Sequence, residues 1–327
     1  MHVAILGAGS LGTLFAAKLA AAGACAVTLI GRPQHVEVLR VGGITVTEPD
    51  GSSTVVPPDA FRVVSSLVET DRATDVLVVT PKAAALEAAL REAVNTPVAA
   101  ALPVENGIDH LELLDAAFGP GVVLGGATLE GAELLRPGHV RRLVAACTFV
   151  GERDGRRSDR VDELCDVFTA ADLRTQSTPR IEAAMWTKLV HSCASTGTCG
   201  ATRLGYTSAT RTRAGAELSL TLVREGLAVL DAMGIAPEER FLSWVDLTGV
   251  AALDDEAAIA HVQSTAAALA AQGYTGGTSL MRDLDAGRTT EVEHILGALV
   301  RRADAAGVPV PTMRAVYLSI AAADQAS

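Results

Sequence analysis

Aromatic side chains are scarce, 3% of 327 residues, so the core has to be built mostly from Ala, Val and Leu. Cysteines are few and scattered. Cys25, Cys147, Cys165, Cys193 and Cys199 form an odd set with no C-x-x-C pair, the pattern of reduced, buried thiols and not of a disulfide frame or a metal site. No metal is expected. No apolar run reaches the roughly 18 residues that a membrane span needs. The chain enters its first motif without a leader-like segment, so a cytoplasmic location is expected. Cations are outnumbered, 27 Lys and Arg against 38 Asp and Glu, for a net charge of −11. That balance disfavours nucleic acid and anionic membranes as partners. An anionic small molecule would need locally placed cations or backbone amides.

The remainder, 49% hydrophobic and 20% charged, describes an ordinary soluble globular protein, and its length makes two domains the natural expectation. The stretch from Met1 to Arg32 organises the rest. A short apolar run, His2 to Leu6, feeds Gly7-Ala8-Gly9-Ser10-Leu11-Gly12; an Ala-rich helical pattern follows to about Gly23, then a second apolar run, Ala26 to Ile30. Glycines at this spacing, after a strand and opening a helix, let the chain turn, let amides approach a pyrophosphate and let the helix pack on the sheet. Gly7, Gly9, Ser10, Leu11 and Gly12 are therefore the candidate cradle of a dinucleotide. An NAD site usually carries Asp or Glu about 20 residues further on, and an NADP site an arginine for the 2′-phosphate. No acidic residue occurs from Gly7 through Val36, and Arg32 stands at the end of the second strand. NADP is favoured. A solvated loop arginine is the alternative, and it leaves the missing carboxylate unexplained.

Further on, Pro33 to Leu39 reads as a short helix, and Ile44 to Thr47 with Ser53 to Val56 as a hairpin around Pro49-Asp50-Gly51. Asp75 to Thr80 is a continuous apolar run, the pattern of a strand buried on both faces. A helix is expected over Ala83 to Val94, a strand over Val98 to Val104, a helix over Asp109 to Phe118, and a last parallel strand at Val122 to Leu124. Val140 to Val150 is strand-like, Val161 to Ala170 helical, and Leu173 to Ser177 a short strand. The expected fold class is α/β: a Rossmann-type doubly wound, mostly parallel sheet, with ligands beyond the C-terminal strand ends, followed by an all-helical domain. Gly7, Arg32, Lys82 and Asn106 fall at such ends. The character changes near Ser177 to Arg180, giving a nucleotide domain over 1–178 and a helical domain over 179–327. Its helices are expected over Arg180 to Gly200, Ala214 to Met233, Ala257 to Ala271 and Glu291 to Ala306. No repeats, low-complexity tracts or long linkers interrupt the chain.

The first helix of the second domain is apolar nearly all round. After Glu182, Lys188 is its only full charge, and His191, Ser192, Ser195 and Thr196 continue a polar stripe along the same face. Polar groups on a buried helix need partners or a cavity. A structural ion pair or a snorkelling lysine accounts for Lys188 equally simply. Beside a cofactor domain, the stripe could instead line the interdomain cleft, where an ammonium donates a proton to a ketone oxygen as alkoxide charge grows. In Gly276 to Gly297, Thr290-x-x-Glu293 reads as a capping box, and Glu291 would sit in the first turn of a helix, where the dipole favours a carboxylate.

These motifs together resemble the ketopantoate reductase family, NADPH-dependent enzymes of pantothenate synthesis. The resemblance rests on Gly7-x-Gly9-x-x-Gly12, Thr80-x-Lys82, Asn106-Gly107, Trp186-x-Lys188-Leu189, Thr278-Ser279-x-Met281-x-Asp283, Thr290-Glu291 and Gly307-x-Pro309-x-Pro311, which run almost end to end. It implies that Lys188 is the general acid and Glu291 the glutamate that works with it. It further implies that Asn106 and Ser279 bind the keto acid, that Lys82 lies near the cofactor, and that Arg32 takes the 2′-phosphate. The chain departs from the family pattern at Ser192 and Thr196, where members of the pathway usually carry asparagine. A hydroxyl does not reproduce the separate donor and acceptor of an amide, so contacts to the far end of the substrate are expected to differ. The implied activity is reduction of a 2-keto acid to a 2-hydroxy acid with NADPH, 2-dehydropantoate first. Another branched or bulky keto acid, or a regulator that binds NADP without turnover, are the alternatives. A homodimer is one assembly open to the chain.

Overall fold

The structure, a computed structural model, describes residues 1–93, 96–239, 246–274 and 276–325. By internal packing these fall into two units, Met1–Glu105 with Asp109–Glu182, and Asn106–Ile108 with Ala183–Ser327.

The first unit runs β1 (His2–Leu6), α1 (Ser10–Ala22), β2 (Ala26–Ile30), α2 (Pro33–Gly42), β3 (Ile44–Thr47), β4 (Ser53–Val56), β5 (Arg62–Val64), β6 (Thr74–Val79), α3 (Ala83–Ala93), β7 (Val98–Pro103), α4 (His110–Phe118), β8 (Gly125–Thr128), β9 (Gly131–Arg136), β10 (His139–Val144), β11 (Thr148–Gly151), α5 (Asp159–Ala170) and β12 (Thr175–Ser177). Its main sheet has the order β5-β2-β1-β6-β7, every pairing parallel. Alternate side chains leave opposite faces of a strand, and here both faces are covered. Val3, Ile5, Val76 and Val78 pack with Leu14, Phe15 and Leu19 of α1 and Leu164 and Phe168 of α5. Ala4, Leu6, Leu77 and Val79 pack with Leu86, Leu90 and Leu114 of α3 and α4. Double burial is why β1 and β6 read as unbroken apolar runs.

Two smaller sheets, β4-β3-β10-β9 and β12-β11-β8, complete the unit. Three expectations change here. Val122 to Leu124 forms a single bridge, Val123 to Ala101, not a strand. Val140 to Val150 splits into β10 and β11, which belong to different sheets; Glu130 Oε1 takes the Ala146 amide at 3.1 Å between them and removes it from any ladder. The strand β9, unforeseen, pairs antiparallel with β10. The helix expected over Ala83 to Val94 ends, as described, at Ala93, and Val94 lies outside the described residues.

α1 ties these layers together. Phe15 meets Phe168 of α5 edge to face at 6.1 Å, Ser10 Oγ accepts the Leu134 amide of β9 at 3.0 Å, and Lys18 pairs with Glu48 and Asp172 at 2.5 and 2.7 Å. Asp172 also takes Arg142 Nη1 at 2.8 Å, and the Arg142 fork grips the Glu130 carboxylate at 2.6 and 3.0 Å. Burial pushes the Glu130 carboxyl above its ordinary range, against the pull of Arg142.

Among its described residues the regular elements of the second unit are all helices: α6 (Ile181–Thr202), α7 (Tyr206–Thr210), α8 (Arg213–Ala232), α9 (Leu247–Ala251), α10 (Asp255–Ala271), α11 (Ser279–Asp285), α12 (Leu296–Ala306) and α13 (Pro311–Gln325). Side chains of Thr212, Asp246, Asp254 and Thr278 cap four of them at the N-terminus, satisfying amides with no helical partner. Glu225 of α8 does the same for α13, taking the amides of Thr312 and Met313 at 2.9 and 2.7 Å. Gly197 and Gly200 let α6 approach its neighbours; a Cβ there would stand 2.9 Å from Leu222 and 2.5 Å from Ile320.

Glu152, just after β11 and 4% exposed, accepts Arg160 twice at 2.7 Å and Ser158 at 2.7 Å. Arg160 foremost, against the cost of burial, holds the carboxyl down at about 2, from 4.5. A depressed carboxyl adds stability that is complete above the unfolded value and is lost as pH falls through the folded one. Urea unfolding of wild type and Glu152→Gln should differ by about 2 kcal/mol at pH 7, the scale of charge-assisted hydrogen bonds. That difference should shrink as pH drops from about 4.5 to about 2.

Candidate active site

In the first unit the glycine loop sits between the ends of β1 and β6, neighbouring strands from which the chain winds in opposite directions, the position where doubly wound sheets bind ligands. Gly7 has φ +100° and Gly12 packs α1 on the turn: a Cβ at Gly12 would lie 1.9 Å from the Gly7 carbonyl oxygen. A Cβ at Gly9 would meet nothing within 4 Å. Gly7 and Gly12 thus answer to the fold, whereas Gly9 keeps open space beside the helix. No side chain caps α1, so its first amides face that space with their partial positive charge. The Ser10 hydroxyl is committed to Leu134, which leaves its amide for a ligand, and Leu11 packs against the core. These residues fit a pyrophosphate.

Thr80 Oγ1 donates to the Leu6 and Gly7 carbonyls at 2.8 and 3.0 Å and fixes the loop. Apart from the family resemblance, only its place directly after β6 marks Thr80. Arg32 is exposed at the N-cap of α2, with no acidic residue in the first turn. His35 Nδ1 lies 3.0 Å from the Ala8 carbonyl oxygen, tying the start of α2 to the glycine loop. Lys82 is exposed and its carbonyl starts α3, accepting the Ala85 and Leu86 amides at 2.9 and 3.0 Å.

The other candidates belong to the second unit, Asn106 among them. Lys188 on α6 is 6% exposed and Glu291 7%. Ser192 is half-buried and Thr196 buried, one and two turns beyond Lys188, and Ser279 is half-buried at the start of α11. Three contacts draw their backbones together. Cys193 Sγ donates to the Ile295 carbonyl at 3.4 Å, joining α6 to the turn that holds Glu291. Gly107, at φ +90°, lies so close to the His294 carbonyl that a Cβ would sit 2.6 Å away. The Cys199 thiol donates to the Gly276 carbonyl at 3.8 Å, in the segment that leads to Ser279.

The local structure around Glu291 differs from expectation. α12 begins at Leu296, not at Glu291, and residues 291–295 form a turn. Thr290 Oγ1 accepts the Val292 amide at 3.2 Å, its own amide goes to Asp324 at 2.7 Å, and Glu293 takes the Tyr317 hydroxyl at 2.7 Å. The capping box is thereby replaced. Glu291 instead anchors the turn through its carbonyl, which accepts the His294 and Ile295 amides at 3.0 Å.

Only three of the 27 cationic residues are lysines, Lys18, Lys82 and Lys188, a rarity that itself could have marked the last two. Burial, and then the Lys188 charge, push the His191 imidazole down to about 4, so it is neutral at physiological pH. Burial raises the thiols of Cys165 and Cys199 to about 12 and that of Cys193 further, which leaves them protonated and poor nucleophiles. Among the described residues, no group of three or more His, Cys, Asp or Glu could hold a metal, and no helix is long and apolar enough to cross a membrane.

Residues 3–155 match ketopantoate reductase PanE/ApbA, and residues 180–324 match the C-terminal part of the same family. The chain belongs to the ketopantoate reductase family, a family of oxidoreductases. It is 27% identical to a 2-dehydropantoate 2-reductase of Halobacterium salinarum, over 96% of either chain. It is 28% identical to one of Archaeoglobus fulgidus, over 94% of this chain and 92% of that one. Solved structures share the fold. A 2-dehydropantoate 2-reductase of Geobacter metallireducens superposes with a TM-score of 0.82 at 22% identity over 100% of both chains. D-mandelate dehydrogenase with NADH and anilino(oxo)acetate superposes with 0.81 at 21% identity, over 100% of this chain and 99% of that one.

Replacing Lys188 with Met removes the cation but not the burial, so His191 should titrate above its wild-type value of about 4 and below the ordinary 6.5 or so. NMR titration of the imidazole measures it, and an unmoved midpoint means that no ammonium acts on His191.

Proposed function

We propose that the protein reduces a 2-keto acid to the 2-hydroxy acid with NADPH, with Lys188 as proton donor. The observation that carries this is a lysine only 6% exposed on an otherwise nearly uncharged stretch of helix, in a chain whose other unit keeps a bare, uncapped helix N-terminus at a glycine loop. A bound nicotinamide dinucleotide supplies the hydride. Gly7, Gly9, Gly12 and the amides of Ser10 and Leu11 would hold its pyrophosphate, and Lys82 and Asn106 would lie near it. Arg32 would take the 2′-phosphate of NADPH.

Lys188 holds its proton against the keto oxygen and releases it as negative charge grows there. Such a donor acts only in the transition state, where its help raises turnover. Glu291, on the turn joined to α6, would orient the ammonium and keep it charged. Asn106 and Ser279 would fix the carbonyl and carboxylate, and Ser192 and Thr196 would shape the remainder in place of the family's amides. 2-Dehydropantoate, named for the curated relatives, is the first substrate to try. NADH is the second cofactor to try, because the D-mandelate dehydrogenase neighbour is described with it.

Lys188→Ala should lower kcat by roughly 10²-fold or more while NADPH binding persists; wild-type turnover in this variant removes the proton donor from the mechanism. Arg32→Ser should raise KM for NADPH about tenfold, the worth of one charge-assisted contact, and leave that for NADH nearly unchanged. Equal effects on both cofactors would take the 2′-phosphate away from Arg32.

A further inference from the structure

A cavity of about 130 Å³ lies inside the helical unit, walled by α6, α7, α8, α9, α10 and the segment before α11. Aliphatic side chains form much of the wall, but His191, Ser195, Tyr206, Ser219, Asp246 and His261 break it with polar groups. Four of these bond within the protein. Tyr206 Oη and Ser219 Oγ are 3.0 Å apart, Ser195 Oγ donates to the Ser192 carbonyl at 3.3 Å, and Asp246 accepts the Gly249 amide at 2.7 Å. The two histidines differ: among the described residues neither imidazole has a hydrogen-bond partner. A half-buried imidazole without a protein partner bonds water, and the cavity has space for several molecules at about 30 Å³ each. Asp246 and His261 are exposed, which carries this polar path to the surface.

Its inner end lies beside the proposed acid. His191 and Ser195 follow Lys188 by three and seven residues, on one face of α6. His191 is near enough for the ammonium to add to burial in holding its pKa at about 4. It is therefore neutral at pH 7, with one ring nitrogen a donor and the other an acceptor. That is the state in which a group takes a proton on one side and releases one on the other. Lys188 needs such a neighbour. Once it has given its proton to an alkoxide it is a neutral amine, only 6% exposed, and has to recover a proton before the next turnover.

We propose that His191 is the relay through which Lys188 regains its proton from water in this cavity. The inference rests on the keto-acid reductase reading above. Lys188 delivers its proton to the alkoxide oxygen. A solvent proton entering past His261 and Asp246 then binds one ring nitrogen of His191, while the other nitrogen releases its proton to the Lys188 amine through water. The ammonium is restored, His191 ends neutral as the opposite tautomer, and a turn of its ring resets it. One solvent proton is consumed for each hydride transferred. His191 touches neither substrate nor cofactor in this scheme and acts only through Lys188.

Stopped-flow oxidation of NADPH tests the relay on wild type, His191→Asn and His191→Ala, with whichever of 2-dehydropantoate, pyruvate, 4-methyl-2-oxopentanoate and phenylglyoxylate is reduced best. The first turnover uses the proton already on Lys188 and should keep its wild-type rate in both variants. Later turnovers wait for the lysine to recharge, so steady-state kcat should fall about tenfold, less than the roughly 10²-fold or more that follows loss of the donor itself. Imidazole added to the buffer should restore most of the lost kcat in His191→Ala, whose vacated space it fits, and little in His191→Asn, where the amide fills that space. Unchanged steady-state kcat in both variants overturns the relay. So does a first turnover that falls as far as kcat and does not respond to imidazole, the result of lost packing alone. In either case the reductase stands. If wild type reduces none of the four acids with NADPH or NADH, the reductase reading falls and the relay with it.

Discussion

The first unit depends on how closely α1 can approach the turn that precedes it. With hydrogen in place of a methyl at Gly12, the helix comes down on the Gly7 carbonyl, a position from which any Cβ would be expelled. Phe15 then reaches Phe168, Ser10 reaches β9, and Lys18 reaches Glu48 and Asp172. A helix displaced by an added methyl would loosen all of these at once, because close-packed interiors accommodate extra volume only by moving backbone. The same approach brings the first amides of α1 to the strand ends. Fold and glycine loop therefore share one steric requirement.

In the second unit α6 has the corresponding place, but its demands are electrostatic as well as steric. Glycines let its neighbours close in, and an ammonium is carried inside with them. A nearly buried charge is costly unless it is paired or used, and one turn away it adds to burial, the larger cause, in lowering the basicity of His191.

Much of this was legible in the residues. The glycine spacing, the unbroken apolar runs of β1 and β6, and the isolated Lys188 each carry a local physical signature that does not depend on distant partners. What escaped depends on such partners. Gly131 to Arg136 becomes a strand because β10 pairs with it, and Thr290-Glu291 becomes a turn because Asp324, from the far end of the chain, takes the Thr290 amide. Ser195 and His191 were visible as part of a stripe, yet they border a cavity closed by α7, α8, α9 and α10, whose approach no short window of sequence encodes.

The short segment Asn106–Ile108 adds a consequence for the gene. It sits between β7 and α4 of the first unit, yet its packing belongs to the helical second unit, where Gly107 presses on His294. A single crossover near codon 183 would exchange the helices without the loop that they accommodate. Shuffling the two halves among related enzymes therefore demands a matched pair of exchanges, and chimaeras made with one junction should inherit a misfit at Gly107.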